Sequence, residues 1–168
     1  MKRHPNCSVV LVARLAACEK EGLIKNGAAD NFGVPYTILL VEDETFVRQS
    51  IEAALCLYGY TVLTAANASQ ALEICRNSPQ PPDLLVSDMV MPGMSGNELA
   101  RAFRALHPRA GVLLMSGYAE ELTPHASSAC CTPYLRKPFS VDTLIKAVSE
   151  LLDVNARSAK TVAAKVWH

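Results

Sequence analysis

Five short apolar runs, separated by segments with helical periodicity, limit the folds open to this chain more than any other feature. Each run has the length of one strand, and together they cover residues 37–41, 61–65, 83–87, 110–116 and 132–136. Apolar residues recur at helical spacing after these runs, in residues 45–59, 67–77, 95–106, 119–129 (weakened by Pro124) and 140–153. Buried strands that alternate with helices predict an α/β fold, with a five-stranded parallel sheet and helices on both faces.

Composition divides the chain into three parts. Residues 26–35 are rich in Gly, Asn, Asp and Pro, which is typical of a linker. We therefore expect an N-terminal extension at 1–35 that is flexible or partly helical, a folded domain at 36–153 and a short basic tail at 154–168. Residues 1–18 resemble a bacterial lipoprotein signal that ends at Cys18. Because Arg14 interrupts the apolar stretch, we interpret this segment as a marginal amphipathic helix or a flexible leader.

Charge and hydropathy argue against two classes of partner for the central part. Residues 36–153 carry eight Lys or Arg against thirteen Asp or Glu, a net charge of −5, and show no basic stripe. Direct nucleic-acid binding is therefore not expected. No apolar run has the length of a membrane-spanning helix, so no membrane partner is expected either. The six cysteines form no C-x-x-C pair, which favours a reduced protein in the cytoplasm.

Charged and polar residues lie where the predicted strands end. The first run is followed by the acidic segment Glu42–Glu44 and the third by Asp88, whereas the fourth ends in Ser116 and the fifth leads into Lys137. Ligands of open parallel sheets bind beyond the carboxyl ends of the strands, so we expect these side chains to meet in one site. The segment Pro92–Gly96 is expected to turn the backbone away after Asp88 and to leave room for a substrate.

The residue types in this group suit phosphoryl transfer. Glu42, Asp43 and Asp88 would repel one another if left alone, and carboxylate oxygens are ligands that Mg²⁺ prefers. Asp88 could then attack phosphorus as a nucleophile, while the metal and Lys137 offset the charge on the phosphoryl oxygens. Ser116 could donate a hydrogen bond to one of those oxygens.

Four motifs carry a resemblance to a known family. In chain order they are ILLVEDE (38–44), LLVSDMVMPGMSG (84–96), VLLMSGYAE (112–120) and YLRKPF (134–139). Together they resemble the receiver domain of two-component response regulators, and the resemblance covers residues 36–153. The last two motifs are closest to receivers of the stand-alone or hybrid-kinase type. The resemblance implies a flavodoxin-like sheet with strand order 2-1-3-4-5.

The resemblance also implies a role for each acidic residue of the site. Asp88 matches the aspartate that accepts the phosphoryl group in this family. Glu42 and Asp43 match the acidic pair that positions Mg²⁺ or Mn²⁺, and Val90 matches the residue whose backbone carbonyl completes the metal site. Val90 and Tyr118 occupy positions that tune hydrolysis in the family, and their bulk predicts a phosphorylated state that lasts well beyond seconds.

The remaining matched residues are implied to stabilise and transmit phosphorylation. Lys137 matches the invariant lysine of the family, and Ser116 matches its switch hydroxyl. Tyr134 matches the aromatic residue that changes rotamer on activation. The peptide bond before Pro138 is cis in the family.

We interpret the chain as a phosphoryl-accepting switch of a phosphorelay. The resemblance implies that a histidine kinase or a histidine phosphotransfer protein phosphorylates Asp88. Output is expected through contacts with a downstream protein of unknown identity, because the fifteen residues after 153 are too few for a DNA-binding domain. Enzymatic activity is not expected beyond the domain's own phosphorylation and dephosphorylation.

Two other functions stay open on the residues alone. An aspartate-based phosphohydrolase also uses Asp, Ser or Thr, Lys and Mg²⁺, but it would carry a second aspartate at the position of Val90. A degenerate receiver would serve only as a binding module, although every acidic, hydroxyl and lysine position is filled here.

Overall fold

The computed structural model describes residues 36–117 and 132–164, with side-chain surroundings through residue 154. The chain divides into two units, Met1–Val34 and Pro35–His168, and every described element lies in the second. In chain order these elements are β1 (Thr37–Val41), α1 (Thr45–Leu57), β2 (Thr61–Ala65), α2 (Ala68–Asn77), β3 (Leu84–Asp88), α3 (Gly96–Leu106), β4 (Gly111–Ser116), β5 (Tyr134–Arg136) and α4 (Val141–Ala164). Tyr118 and the helix expected at 119–129 lie outside the described residues.

The strands form one parallel sheet in the order β2-β1-β3-β4-β5. This confirms the expected strand order. In the register of the sheet, Leu39 of β1 lies between Leu63 of β2 and Leu85 of β3. All strands therefore end at the same edge, which we call the carboxyl edge.

Strand side chains alternate between two buried apolar layers, one on each face of the sheet. Leu40 packs in the layer with Leu55 of α1 and Leu144 of α4. Leu39 points to the other face and packs in the layer with Phe103 of α3 and the buried side of α2. Burial on both faces explains why β1, β3 and β4 are nearly continuous apolar runs instead of alternating ones. Helices on both faces are thereby confirmed.

Two helices begin at the carboxyl edge with well-defined caps. The Asn67 side chain accepts a hydrogen bond from the Gln70 amide at 2.9 Å and starts α2. Ser95 and Glu98 form a reciprocal capping box that starts α3. These caps fix where the loops after β2 and β3 end.

Several element ends differ from the sequence-based expectation, most of them by one or two residues. Asp88 ends β3, as expected, but the strand begins at Leu84 and not at residue 83. Strand β5 begins at Tyr134 and not at residue 132, since Pro133 has no amide hydrogen to donate. Helix α4 was expected to end at residue 153 but continues to Ala164, because residues 154–164 contain neither Gly nor Pro to stop it. None of the described helices combines the length and the apolarity needed to cross a bilayer.

Candidate functional site at the carboxyl edge

The sheet brings the predicted strand-end residues to one place. Glu42 directly follows β1, Asp88 ends β3 and Ser116 ends β4. Lys137 directly follows β5, and its amide donates a 2.7 Å hydrogen bond to the Ser116 carbonyl. The peptide bond between Lys137 and Pro138 is cis, as the resemblance implied.

Lys137 bridges two of the carboxylates. Its Nζ lies 2.7 Å from Asp88 Oδ2 and 2.8 Å from Glu42 Oε2. Charge-assisted hydrogen bonds of this length are among the stronger polar contacts in proteins. The lysine therefore compensates part of the charge that the two acids bring into a largely buried site.

Glu42, Asp43 and Asp88 form an acidic cluster that is suited to a cation. One carboxylate oxygen from each residue lies within 4.8 Å of those from the other two. Glu42 is 1% exposed and Asp88 is 9% exposed, whereas Asp43 faces solvent. Three oxygen donors at this spacing, open to water through Asp43, fit a hard divalent cation such as Mg²⁺ that retains some of its waters.

A cavity of about 390 Å³ lies beside Asp43, the exposed member of the cluster. The loops after β2 and β3 line it through Ala66–Ser69 and Pro92–Met94. Solvent and small solutes can therefore reach the Asp43 side of the cluster without movement of the strands.

The electrostatics of the site reflect burial and close charges. Burial raises the pKa of the Glu42 carboxyl, and the charge of Asp88 adds to this effect, although Lys137 acts in the opposite direction. Burial alone would lower the pKa of Lys137, but its hydrogen bonds to Asp88 and Glu42 outweigh burial and raise that pKa. Lys137 is thus held as a cation over the working pH range.

Val90 lies in the loop after Asp88. Its amide donates a hydrogen bond to Asp88 Oδ1 at 3.3 Å, which orients the carboxylate oxygen that Lys137 does not contact. The Val90 side chain is largely exposed to solvent. The role of the Val90 backbone carbonyl in metal binding stays a prediction.

Ser116 of β4 and Tyr134 of β5 differ in their exposure to solvent. Ser116 is 1% exposed, whereas about half of the Tyr134 side chain is in solvent. Strand pairing places Ser116 opposite Arg136, two residues beyond Tyr134. The coupling expected between these two side chains stays a prediction.

Arg48 is a site residue that the sequence interpretation missed. One guanidinium nitrogen, Nη1, donates to the carbonyl oxygens of Glu42 at 2.6 Å and Asp43 at 3.2 Å. The other, Nη2, donates to Thr45 Oγ1 at 3.3 Å. Arg48 thereby links the first turn of α1 to the backbone of Glu42 and Asp43 by hydrogen bonds. The only sequence signal is a basic residue in the first turn after three acids, which is ambiguous because such a residue usually faces solvent.

The comparison with known families decides the family to which the chain belongs. The sequence pattern described as "Response regulator receiver domain" matches residues 38–149, about two thirds of the chain. The chain belongs to the response regulator receiver family.

Two curated relatives show the range of proteins that contain such a receiver. The sensor kinase CckA of Brucella abortus (strain 2308) is 42% identical over 118 residues, which are 70% of this chain and 12% of the kinase. The response regulator receiver protein CpdR of the same strain is 34% identical over 116 residues, 68% of this chain and 95% of CpdR. The chain thus corresponds to a small part of the first relative and to nearly all of the second.

Solved receivers share the fold. The receiver domain of the hybrid histidine kinase CckA superposes with a TM-score of 0.59 at 35% identity, covering 69% of this chain and 98% of that domain. Receivers of the hybrid-kinase and stand-alone types are therefore both similar to this chain. As a receiver domain of this family, it is a phosphorylation-dependent signalling switch.

Proposed function

We propose that Asp88 is the residue that accepts the phosphoryl group. The observation that carries this proposal is the placement of its carboxylate, which lies at the end of β3 within reach of Lys137 and the acids Glu42 and Asp43. An oxygen of Asp88 attacks phosphorus, and the bond between phosphorus and the donor histidine nitrogen breaks. The bonding electron pair stays on the imidazole, and an acyl phosphate forms on Asp88.

The surrounding residues prepare Asp88 for this step. Glu42, Asp43, the Asp88 carboxylate and the Val90 backbone carbonyl would hold Mg²⁺ or Mn²⁺, which supplies positive charge next to the phosphoryl oxygens. Lys137 contacts Asp88 Oδ2 directly, so its ammonium is already placed to offset charge on the transferred group.

Ser116 and Tyr134 connect phosphorylation to the surface. Ser116 is buried at the end of β4 next to the site, so its hydroxyl would donate to a phosphoryl oxygen once Asp88 is modified. Tyr134 would then change rotamer and alter the surface around β5 and α4. Such a response is a population shift between two states, and phosphorylation favours one of them.

The donor is a histidine kinase or a histidine phosphotransfer protein, the class of partner with which receivers interact. Phe46 is 79% exposed at the start of α1, three residues after Asp43. An apolar side chain so close to the site would seat a donor protein that must bring its phosphohistidine to Asp88. The free, buried thiol of Cys75 is consistent with a cytoplasmic location for this exchange.

Output would pass to an unidentified downstream protein and not to nucleic acid. The acidic balance of residues 36–153 opposes contact with a polyanion. Apart from its own phosphorylation and dephosphorylation, no enzymatic activity belongs to this proposal.

The proposal is tested by labelling the full chain with acetyl phosphate, with and without Mg²⁺, and measuring the intact mass. We expect wild type to gain one phosphoryl group only with Mg²⁺, and Asp88→Asn to gain none. Asp142→Asn, which changes an exposed aspartate at the start of α4, is the matched control and should label like wild type. An unlabelled wild type would favour a binding module, and turnover of a generic phosphate ester would favour a phosphohydrolase.

A further inference from the structure

Gly96, the first residue of α3, lies directly against the backbone of Asp88. A Cβ atom at this position would collide with the Asp88 carbonyl oxygen and would lie 2.9 Å from both the Asp88 carbonyl carbon and the Met89 Cα. The Gly96 amide also donates a 3.0 Å hydrogen bond to the Met89 carbonyl. The loop between β3 and α3 is therefore closed at its base by a contact that only glycine allows.

The two sides of this contact are both anchored. On the strand side, Asp88 pairs with Met115 of β4, and the Met89 amide donates to the Met115 carbonyl at 2.8 Å. The Ser87 hydroxyl also donates to the Asp88 carbonyl oxygen at 2.9 Å. On the helix side, Phe103 of α3 is fully buried against the sheet. Neither the strand nor the helix can shift without disturbing packed core.

The loop between these two elements is less packed than they are. Although Met91 is buried, Val90, Pro92 and Gly93 are exposed, and Gly93 has a φ of 84°, which residues with a side chain rarely adopt. A side chain at position 96 would therefore displace this loop first. The displacement would reach Val90, whose amide is bonded to the Asp88 carboxylate.

We propose that Gly96 is a positioning residue of the receiver site. Its missing side chain lets α3 start against the Asp88 peptide, and this fixes the Asp88 carboxylate and the Val90 carbonyl relative to Glu42 and Asp43. This inference rests on the proposed function, since it concerns the geometry of the same metal and phosphoryl site. It differs from the sequence-based expectation, in which Gly96 only helped the chain to turn.

The test compares Gly96→Ala and Gly96→Ser with Gly117→Ala in the full chain. Gly117 follows β4 at the same edge, and among the described residues no atom lies within 4 Å of a Cβ built there. Three quantities are measured: far-UV circular dichroism, the Mg²⁺ dissociation constant by calorimetry, and the amide NMR shifts of Met89 and Val90 without Mg²⁺. We expect both Gly96 variants to fold, to shift these amides and to bind Mg²⁺ about tenfold or more weakly, the usual scale for losing a supporting contact at a metal site. Gly117→Ala should match wild type.

Two results would overturn the inference. The first is a folded Gly96→Ala protein with unshifted Met89 and Val90 amides and wild-type Mg²⁺ affinity. The second is an unfolded Gly96→Ala protein, because the clash would then be absorbed by the sheet and core and not by the loop. Failure of the proposed function is distinguishable from both, since it appears as wild type that binds Mg²⁺ but does not label on Asp88.

Discussion

At the scale of single residues, the site depends on how buried charge is compensated. Lys137 joins Asp88 and Glu42 through contacts of 2.7 and 2.8 Å, yet burial still raises the pKa of Glu42. One lysine therefore compensates two carboxylates incompletely. The residual negative charge is what makes the cluster attractive to a divalent cation, and it should destabilise the metal-free fold.

Glu42→Gln tests this charge balance. Because burial raises the folded-state pKa of Glu42 above its ordinary value of 4.5, its contribution to stability is present below that pH and is lost as pH rises through the folded pKa. Without Mg²⁺, we expect the variant to exceed wild type in free energy of unfolding by about 1 kcal/mol near pH 7, a typical single-substitution effect. The difference in free energy of unfolding should shrink as pH falls below the ordinary pKa of a glutamate side chain.

Urea unfolding across this pH range provides the measurement. Glu44→Gln, at an exposed neighbouring position, is the control and should show no such pH-dependent gain. A Glu42→Gln protein that is less stable than wild type near neutral pH would show that the Lys137 contact outweighs the burial of the charge.

Residue type and position at the strand ends predicted part of this site. Asp88, Glu42 and Lys137 were found because parallel strands place their carboxyl ends together, so a strand-end position is enough to assign proximity. Arg48 and Gly96 were not assigned their roles, since one acts through backbone carbonyls and the other through a missing Cβ. Such contacts depend on how closely two elements of the fold approach each other, and residue spacing in the sequence does not predict that distance.

At the scale of elements, α1 connects the site to the protein surface. Its first turn is fastened to the acidic pair by Arg48. Its outer side carries Phe46, Ser50, Ala53 and Leu57, all exposed, uncharged and at helical spacing. The helix therefore presents a continuous surface that begins at the rim of the phosphoryl site and suits a donor protein.

Phe46→Glu tests whether this surface seats the donor. We expect phosphotransfer from a histidine-phosphorylated protein to slow by about tenfold or more, the scale of losing an apolar anchor at an interface. Labelling by acetyl phosphate should stay at the wild-type rate, because a small donor needs no protein surface. Leu106→Glu, which changes an exposed apolar residue at the other end of the sheet, is the control. Equal slowing with both donors would mean that Phe46 supports the site itself.

The elements were predictable to different degrees. Strands β1, β3 and β4 were assigned well because burial on both faces leaves uninterrupted apolar runs. The end of α4 was wrong because the apolar period stops near residue 153, whereas the backbone continues as helix to Ala164. Periodicity reports which face of a helix is buried, and a helix that extends past its packing partner no longer carries that signal.

At the scale of the whole molecule, metal binding should be linked to the stability of the fold. In the acidic cluster, Glu42 and Asp43 are adjacent in sequence and follow β1, whereas Asp88 lies much later in the chain, at the end of β3. Their arrangement exists only when β1 and β3 are paired. A cation that binds this arrangement binds the folded state and not the unfolded chain, so it stabilises the fold by mass action.

Thermal unfolding with and without Mg²⁺ measures this linkage. At one hundred times the dissociation constant, Mg²⁺ should add about 2.7 kcal/mol and raise the Tm by several degrees. Removal of the metal with EDTA should reverse the gain. Asp43→Asn, which removes the exposed ligand, should lose most of it, and an undiminished gain in that variant would argue against the cluster as the binding site.

The central claim is that phosphoryl transfer ends on the Asp88 carboxylate, and borohydride mapping tests it most directly. The acyl phosphate formed with acetyl phosphate and Mg²⁺ is reduced, which converts a phosphorylated aspartate to homoserine, and the modified peptide is then sequenced by mass spectrometry. We predict homoserine at position 88 and unmodified aspartate at position 43. Homoserine at position 43 or elsewhere, with position 88 unmodified, would contradict the account.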